Sequence, residues 1–320
     1  MRAIVITRSG GPEVLEASER PAPEPGPGEV LIDVAAAGVN FIDVYYRTGA
    51  YPQETPYTPG VEAAGTVAAV GEGVREFSVG DRVAWANVQG GYAEKAVVPA
   101  DKVVPVPDGV ELEDAAASLL QGMTAHYLTR STYPVQEGDT VLVHAGAGGM
   151  GLLLTQAATS LGARVLATAS TPEKEKLAKD AGADATMGYD GFPARVRELT
   201  GGEGVAVVYD GVGAPTFDGS LDSLRRRGTL ALYGAAGGPV PPFDPQRLNR
   251  AGSVFLTRPS LTHYVADREE LLERAAAVYA WVESGAVKVH VGRRYDLAEA
   301  AAAHADLEAR RSTGKLLLIP

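Results

Sequence analysis

The sequence predicts an α/β protein of two domains, one built on a parallel sheet with crossover helices and the other mostly β. Three observations carry this. The chain has 320 residues, more than the roughly 250–300 at which a single core stops growing. Its first third reads as short strands punctuated by Gly and Pro. From near Glu111 onward, strand-like apolar runs alternate with helical ones, the pattern of a parallel sheet with crossover helices.

In the first third, Arg2–Thr7 and Glu29–Ala37 are predicted strands separated by the Pro21–Gly28 turn cluster, and Glu62–Val70, Arg82–Ala86 and Tyr92–Val98 continue the series. Few helices are expected before Glu111. Glu111–Arg130, rich in Ala and Leu, is a predicted helix. There follow a strand at Thr140–His144, a helix at Gly149–Leu161, a strand at Arg164–Ala169 and helices at Thr171–Ala181 and Phe192–Thr200. Val205–Asp210 is a strand, Pro215–Arg225 a helix, and Thr229–Tyr233 and Ser253–Thr257 are strands. The tail holds helices at Glu269–Ser284 and Leu297–Glu308 and a last strand at Lys315–Ile319. The expected division is 1–115 with 261–320 against 116–260.

Composition narrows the function. There is no cysteine, which removes disulfides, thiolate catalysis and cysteine-built zinc sites and fits a reducing compartment. A net charge of −11 makes nucleic acid a poor partner, since that affinity comes mainly from neutralised phosphates. Arg225–Arg227 and Arg310–Arg311 are short basic runs. No signal peptide or membrane span is expected, so a cytoplasmic enzyme is the default. Frequent Arg and Pro with scarce Asn, Gln and Met resemble a thermophile's usage, and equally fit a GC-rich genome.

The run Thr140–Gly151, TVLVHAGAGGMG, is the strongest motif. A buried strand leads into Gly146-Ala147-Gly148-Gly149-Met150-Gly151, and a helix follows. In this GxGxxG spacing the first glycine is expected to make the turn, the second to admit a pyrophosphate, and the third to let helix pack on strand. The helix N-terminus then offers unpaired N–H groups and a positive dipole end. NAD sites place an acid at the end of the second strand. Here that strand runs into Ser170-Thr171-Pro172-Glu173-Lys174, with Ser170 and Lys174 as donors for a 2′-phosphate. Thr171 is a good N-cap with Pro172 behind it, and Glu173 complements the dipole. NADPH is the expected cofactor.

The segments Gly38–Asp43 with Tyr45, Tyr46, Arg47, Gly49 and Tyr51-Pro52 resemble the N-terminal signature of zinc-free quinone oxidoreductases and zeta-crystallins. Pro59–Gly65, Val79–Val83, Ala115–Thr124 (AAASLLQGMT), Val208–Asp210 and Arg258–Leu261 extend the likeness to the medium-chain dehydrogenase/reductase superfamily along essentially the whole chain. The resemblance implies a GroES-like domain from both chain ends, a Rossmann domain between them, NADPH in the interdomain cleft and a homodimer. It implies that Asn40 and either Tyr45 or Tyr46 lie near the nicotinamide, as catalytic residues. It further implies that Lys174 and Tyr189 hold the adenosine phosphate end, that Tyr233 lines the nicotinamide side, and that Arg310 binds cofactor.

Zinc-dependent members of that superfamily place cysteine and histidine where this chain has Asn40 and Val61. Valine cannot ligate a metal, so no metal site is expected. The five histidines are scattered and each reads as structural. The expected activity is transfer of reducing equivalents from NADPH to a quinone, a substrate whose reduced charge is delocalised over its ring. Two readings stay open beside it: reduction of the C=C bond of an α,β-unsaturated carbonyl, and an NADPH-binding protein with little turnover. The edge-strand candidate Ser253–Thr257 also fits a homodimer.

Overall fold

The computed structural model describes Met1 to Pro320. In chain order its strands are β1 (Arg2–Val5), β2 (Glu16–Glu19), β3 (Glu29–Val39), β4 (Glu62–Val70), β5 (Arg82–Ala86), β6 (Lys95–Pro99), β7 (Val103–Pro105), β8 (Thr140–Val143), β9 (Arg164–Thr168), β10 (Ala185–Met187), β11 (Val205–Asp210), β12 (Leu224–Leu232), β13 (Phe255–Thr257), β14 (Val291–Asp296) and β15 (Lys315–Ile319). The helices are α1 (Phe41–Thr48), α2 (Leu112–Tyr127), α3 (Gly149–Ser160), α4 (Pro172–Asp180), α5 (Phe192–Leu199), α6 (Phe217–Ser223), α7 (Gln246–Arg250), α8 (Leu261–Tyr264), α9 (Arg268–Glu283) and α10 (Ala300–Glu308). No helix is long and apolar enough to cross a membrane.

Two compact units emerge. The first comprises Met1–Met123, Val265–Gly285 and Val289–Pro320; the second comprises Thr124–Tyr264 and Ala286–Lys288. The division falls inside α2 and just after α8.

The first unit is built on a mixed sheet in the order β14-β15-β3-β4-β5-β7, with β6 also on β3. The alternating burial of β3 reflects a strand with one face on the core and the other toward solvent. Ile32, Val67, Val83, Trp85, Tyr92, Val98, Leu316 and Leu318 fill the core. C-terminal β15 pairs antiparallel with β3, which brings Lys315 to the end of β3 and the start of α1.

The second unit holds a parallel sheet in the order β10-β9-β8-β11-β12-β13. Numbered within the unit this is 3-2-1-4-5-6, the doubly wound Rossmann arrangement, whose ligand crevice lies at the carboxyl ends of the strands. The central strand β11 is buried at every position, as expected for a strand covered on both faces.

Some elements depart from the sequence reading. Helix α1 escaped it because its buried face carries Asp43 and Arg47 beside Val44, charges that disguise the helical stripe. Strand β14 escaped because it is mostly exposed and polar. The helix expected over Pro215–Arg225 is shorter, and β12 begins at Leu224. Its register with β11 jumps from Val205↔Leu224 to Val207↔Thr229, so the arginine run bulges out of the sheet before pairing resumes.

Candidate cofactor and active site

The loop between β8 and α3 is shaped by close approach. A Cβ on Gly146 would stand 2.8 Å from Ala167 Cβ and 3.2 Å from Ala178 Cβ, so a side chain there would push β9 and α4 away. A Cβ on Gly151 would stand 2.2 Å from the Ala145 carbonyl oxygen, the contact that seats α3 on its own strand. Gly148 differs: its only neighbour within 4 Å would be the Ala145 oxygen at 3.3 Å, leaving that side of the loop open. The turn itself is made by Ala145, at φ 52°, and not by the first glycine. Gly146 is required for packing against Ala167 and Ala178. Gly148 is the N-cap of α3, and no side chain caps the helix. The first-turn N–H groups, which lack acceptors inside a helix, are therefore available to an anion.

The other expected cofactor residues of this unit follow the carboxyl ends of neighbouring strands. Ser170 lies exposed just past β9. Thr171 caps α4 by accepting from the Lys174 amide at 3.3 Å, and Pro172 opens the helix. The Glu173 carboxyl is held below its usual range, first by a backbone hydrogen bond and then by Thr171, as befits an acid in a first helical turn. Half-buried Tyr189 follows β10, with its ring 6.2 Å from that of His144 and nearly parallel to it. Tyr233 follows β12. Its amide donates to Asp210 at 2.9 Å, and its ring covers Gly211 so closely that a Cβ there would meet it at 2.7 Å.

A buried serine, histidine and aspartate do meet at this sheet edge. His144 Nε2 lies 2.9 Å from Ser220 Oγ, and Ser220 donates to Asp210 Oδ2 at 2.8 Å. The order is wrong for nucleophilic catalysis, which needs histidine between serine and carboxylate. All three side chains are inaccessible, and burial depresses the His144 pKa to about 4, so its ring is neutral. Thr168 occupies the other ring nitrogen at 2.9 Å. Asp210 also accepts from Val212 and Gly213 amides and from Thr216. The cluster stitches β8, β9, β11 and α6 together, and His144 is structural, as its sequence context suggested.

In the first unit, Asn40 precedes α1 and is 4% exposed. Its carboxamide joins a buried ionic network. Lys315 Nζ donates to Asn40 Oδ1 at 2.7 Å and to Glu62 Oε2 at 2.6 Å. Asn40 Nδ2 donates to the same Glu62 oxygen at 2.9 Å and to the Gly38 carbonyl at 3.2 Å. The Leu120 amide donates to Glu62 Oε1 at 2.7 Å. Gln121 Nε2 donates to Asn40 Oδ1 over a long 3.5 Å.

Zinc does not fit here. The Asn40 carboxamide is met by an ammonium, Val61 offers no donor, and no group of three or more His, Asp or Glu side chains is arranged to hold a metal. The chemistry of this donor set is that of an internal cation paired with a carboxylate.

A second network lies behind α1. Arg47 donates to His304 Nδ1 at 3.1 Å and pairs with Glu308. Because arginine only donates, His304 must carry its proton on Nε2, directed at Tyr92 Oη 3.1 Å away. Tyr92 then donates to Asp43 Oδ2 at 3.0 Å, and Asp43 also accepts from the Asn40 and Val61 amides. Burial, reinforced by Arg47, lowers the His304 pKa to about 3. Burial outweighs those hydrogen bonds at Asp43 and raises its pKa to about 6.

Tyr45 and Tyr46 stand half-buried on α1, and both pack on Tyr51, at centroid distances of 5.2 and 5.7 Å. Burial raises the Tyr46 pKa, with smaller contributions from Tyr51 and Asp43. Arg310 is exposed in the left-handed turn after α10, at φ 56°. Its neighbour Arg311 pairs with Asp306 at 2.6 Å. Lys315, Glu62 and Gln121 were not singled out in the sequence. The available signals were a lysine heading the apolar strand KLLLI and a glutamate following the Pro59-Gly60-Val61 turn.

Comparison with known proteins identifies the family. Residues 26–108 match the alcohol dehydrogenase GroES-like domain family, and residues 149–277 match the family described as zinc-binding dehydrogenase. A quinone oxidoreductase of Pseudomonas aeruginosa is 45% identical over 100% of this chain and 99% of its own. The chain belongs to the quinone oxidoreductase family of the medium-chain dehydrogenase/reductases. Among solved structures, a mycobacterial protein complexed with NADPH is 58% identical, with a TM-score of 0.98 over 100% of both chains. Quinone oxidoreductase of Escherichia coli complexed with NADPH is 41% identical, also with a TM-score of 0.98 over 100% of both chains. The zinc named in one matched family has no counterpart in this member's side chains.

Proposed function

We propose that this protein is an NADPH-dependent quinone reductase that works without a metal. The observation that carries the reading is the carboxyl edge of the second unit. A glycine loop open at Gly148 leads into the uncapped N-terminus of α3, and β9 ends at Thr168 and runs into Ser170 with no carboxylate in the ribose position. Bound NADPH supplies the hydride equivalent that reduces the quinone. The Gly146–Gly151 backbone, including Ala147, Gly149 and Met150, receives the pyrophosphate. Ser170 and Lys174 bind the 2′-phosphate, and Tyr189 and Tyr233 flank the cofactor. In the first unit Asn40, Tyr45, Tyr46 and Arg310 keep the roles the resemblance gives them, with a tyrosine hydroxyl as hydrogen-bond donor to a reduced quinone oxygen.

The coarser setting follows the same reading. Strand β13 ends the parallel sheet with one side unpaired, and Phe255 on it is 60% exposed. Pairing of two such edges across a two-fold supports a homodimer. A Phe255→Glu variant should shift the mass in light scattering from dimer toward monomer. A monomeric unmodified protein at micromolar concentration refutes the dimer. A chain without cysteine fits the cytoplasm, and its scarcity of Asn, Gln and Met fits a thermophilic source.

The deciding experiment is kcat/KM with NADPH and with NADH, at fixed 1,4-benzoquinone or 2-cyclohexenone. A charge-assisted hydrogen bond is worth about 1.5–3 kcal/mol, so Lys174→Ala should cost NADPH roughly ten- to a hundred-fold. NADH should barely respond, and Ser170→Asp should turn preference toward it. An equal loss for both cofactors makes Lys174 a support of the fold. Turnover of the enone alone replaces the quinone with a C=C substrate.

A further inference from the structure

The polar groups around Asn40 have a single consistent direction. Lysine only donates and carboxylate only accepts. The Asn40 atom facing Lys315 is therefore Oδ1, and the atom facing Glu62 and the Gly38 carbonyl is Nδ2. A flipped amide would set NH₂ against the ammonium and oxygen against the carboxylate. Both Asn40 donors are thereby used, and its carbonyl takes Lys315 and, more weakly, Gln121 Nε2. The orientation passes on to Gln121, because its opposite face would bring two carbonyl oxygens together. Gln121 Oε1 is left inaccessible to solvent and without any hydrogen-bond partner.

An inaccessible acceptor with no partner is costly, and its presence in a fold calls for a partner that arrives later. We infer that Gln121, a half-buried residue, is a ligand-binding residue: its amide is oriented by the Lys315–Asn40 relay, and a rotation of the side chain presents Oε1 to an N–H or O–H of the bound ligand. This rests on the quinone reductase reading and deepens it, because that reading offers two sources of such a donor. One is the carboxamide NH₂ of the nicotinamide ring, and the other is a hydroxyl of the hydroquinone product. A quinone itself has only acceptor oxygens and gains nothing from Gln121. In the second case the residue favours product over substrate.

The test is Gln121→Met, which keeps the side chain's length and removes its polar atoms. NADPH binding is followed by nicotinamide fluorescence, and benzene-1,4-diol binding as product inhibition of benzoquinone reduction. A five- to hundred-fold weaker Kd for NADPH with unchanged diol inhibition assigns the donor to the cofactor. The reverse assigns it to the hydroquinone. In both cases Tm should hold or rise, because the variant no longer buries an unpaired acceptor. Unchanged affinity for both ligands overturns the proposal, as does a lowered Tm with affinities intact, which marks a structural residue. The NADPH titration needs no turnover. Failure of the wider reading shows separately, as absence of quinone-dependent NADPH oxidation by the unmodified protein.

Discussion

Replacing Lys315 with methionine removes the only cation in contact with the buried Glu62 carboxylate and leaves the space filled. Lys315 is 2% exposed and Glu62 fully inaccessible. Removing one partner of a buried pair costs about 3–5 kcal/mol, because the other charge is left uncompensated. Glu62 retains the Leu120 amide and Asn40 Nδ2, which places the cost toward the lower end, about 3 kcal/mol. At about 2–4 °C per kcal/mol for domains of 150–250 residues, Tm should fall by roughly 6–12 °C. The double variant Lys315→Met/Glu62→Gln removes both charges, and most of the loss should return, giving a coupling of about 2 kcal/mol in a double-mutant cycle. The assay is urea unfolding of all four proteins at one pH, with m compared so that a changed slope is not read as changed stability. A loss below about 1 kcal/mol for Lys315→Met, or additive effects in the double variant, refutes the account of this pair as a dry, coupled ion pair.

Two further outcomes separate fold from binding. Gly151→Ala would place a Cβ 2.2 Å from the Ala145 oxygen and should lower Tm, whereas Gly148→Ala meets only that oxygen at 3.3 Å and should keep Tm while weakening NADPH. Equal behaviour of the two in Tm and Kd contradicts the division of labour among the glycines. Acid should destabilise the protein. His304, at about 3 against an ordinary 6.5, and His144, at about 4, stay neutral in the folded chain and protonate in the unfolded one, so their stabilisation is lost as pH falls from 6.5 toward 3. Asp43, at about 6 against 3.8, acts in the opposite sense, its contribution being lost as pH rises from 3.8 to 6. The two histidines together outweigh it, so the urea midpoint should drop between pH 7 and pH 4.5, and less steeply in His304→Gln. A midpoint that rises toward pH 4.5 contradicts this balance.

What was legible in the sequence was local. The strand–loop–helix of Thr140–Ser160 is written in consecutive residues, and so is the N-cap at Thr171. A parallel sheet with crossover helices followed from alternation alone, whereas the strand order is a property of the fold. Even there the sequence misassigned the turn. Gly146 has an ordinary φ, and its smallness serves Ala167 and Ala178, contacts made by residues about 20 and 30 positions further along. The short helix α1 was hidden because its buried face bears Asp43 and Arg47, whose partners Tyr92, His304 and Glu308 come from distant segments. A charge on an apolar face reads as an error until its partner is known, and only the fold supplies the partner.

Where zinc-dependent members of the superfamily carry metal ligands, this chain buries an ion pair. A superfamily site that gives up cysteine and histidine for Asn40 and Val61 still has Glu62 buried beside it, and a lone carboxylate there is not tolerable. β15 pairs with β3 and puts Lys315 at the end of the strand that leads to Asn40, so a charge from the far end of the chain neutralises Glu62 in place. An ammonium differs from zinc in what it can do. It fixes the direction of neighbouring amides by donating hydrogen bonds, and it presents no open coordination position at which to polarise a substrate oxygen. Lys315 therefore orients the Asn40 amide and offers no Lewis acid. A quinone spreads its reduced charge over the ring and does not depend on a Lewis acid, so under the proposed function hydrogen-bonding side chains such as Tyr45, Tyr46 and Gln121 are the groups whose removal should register in the kinetics.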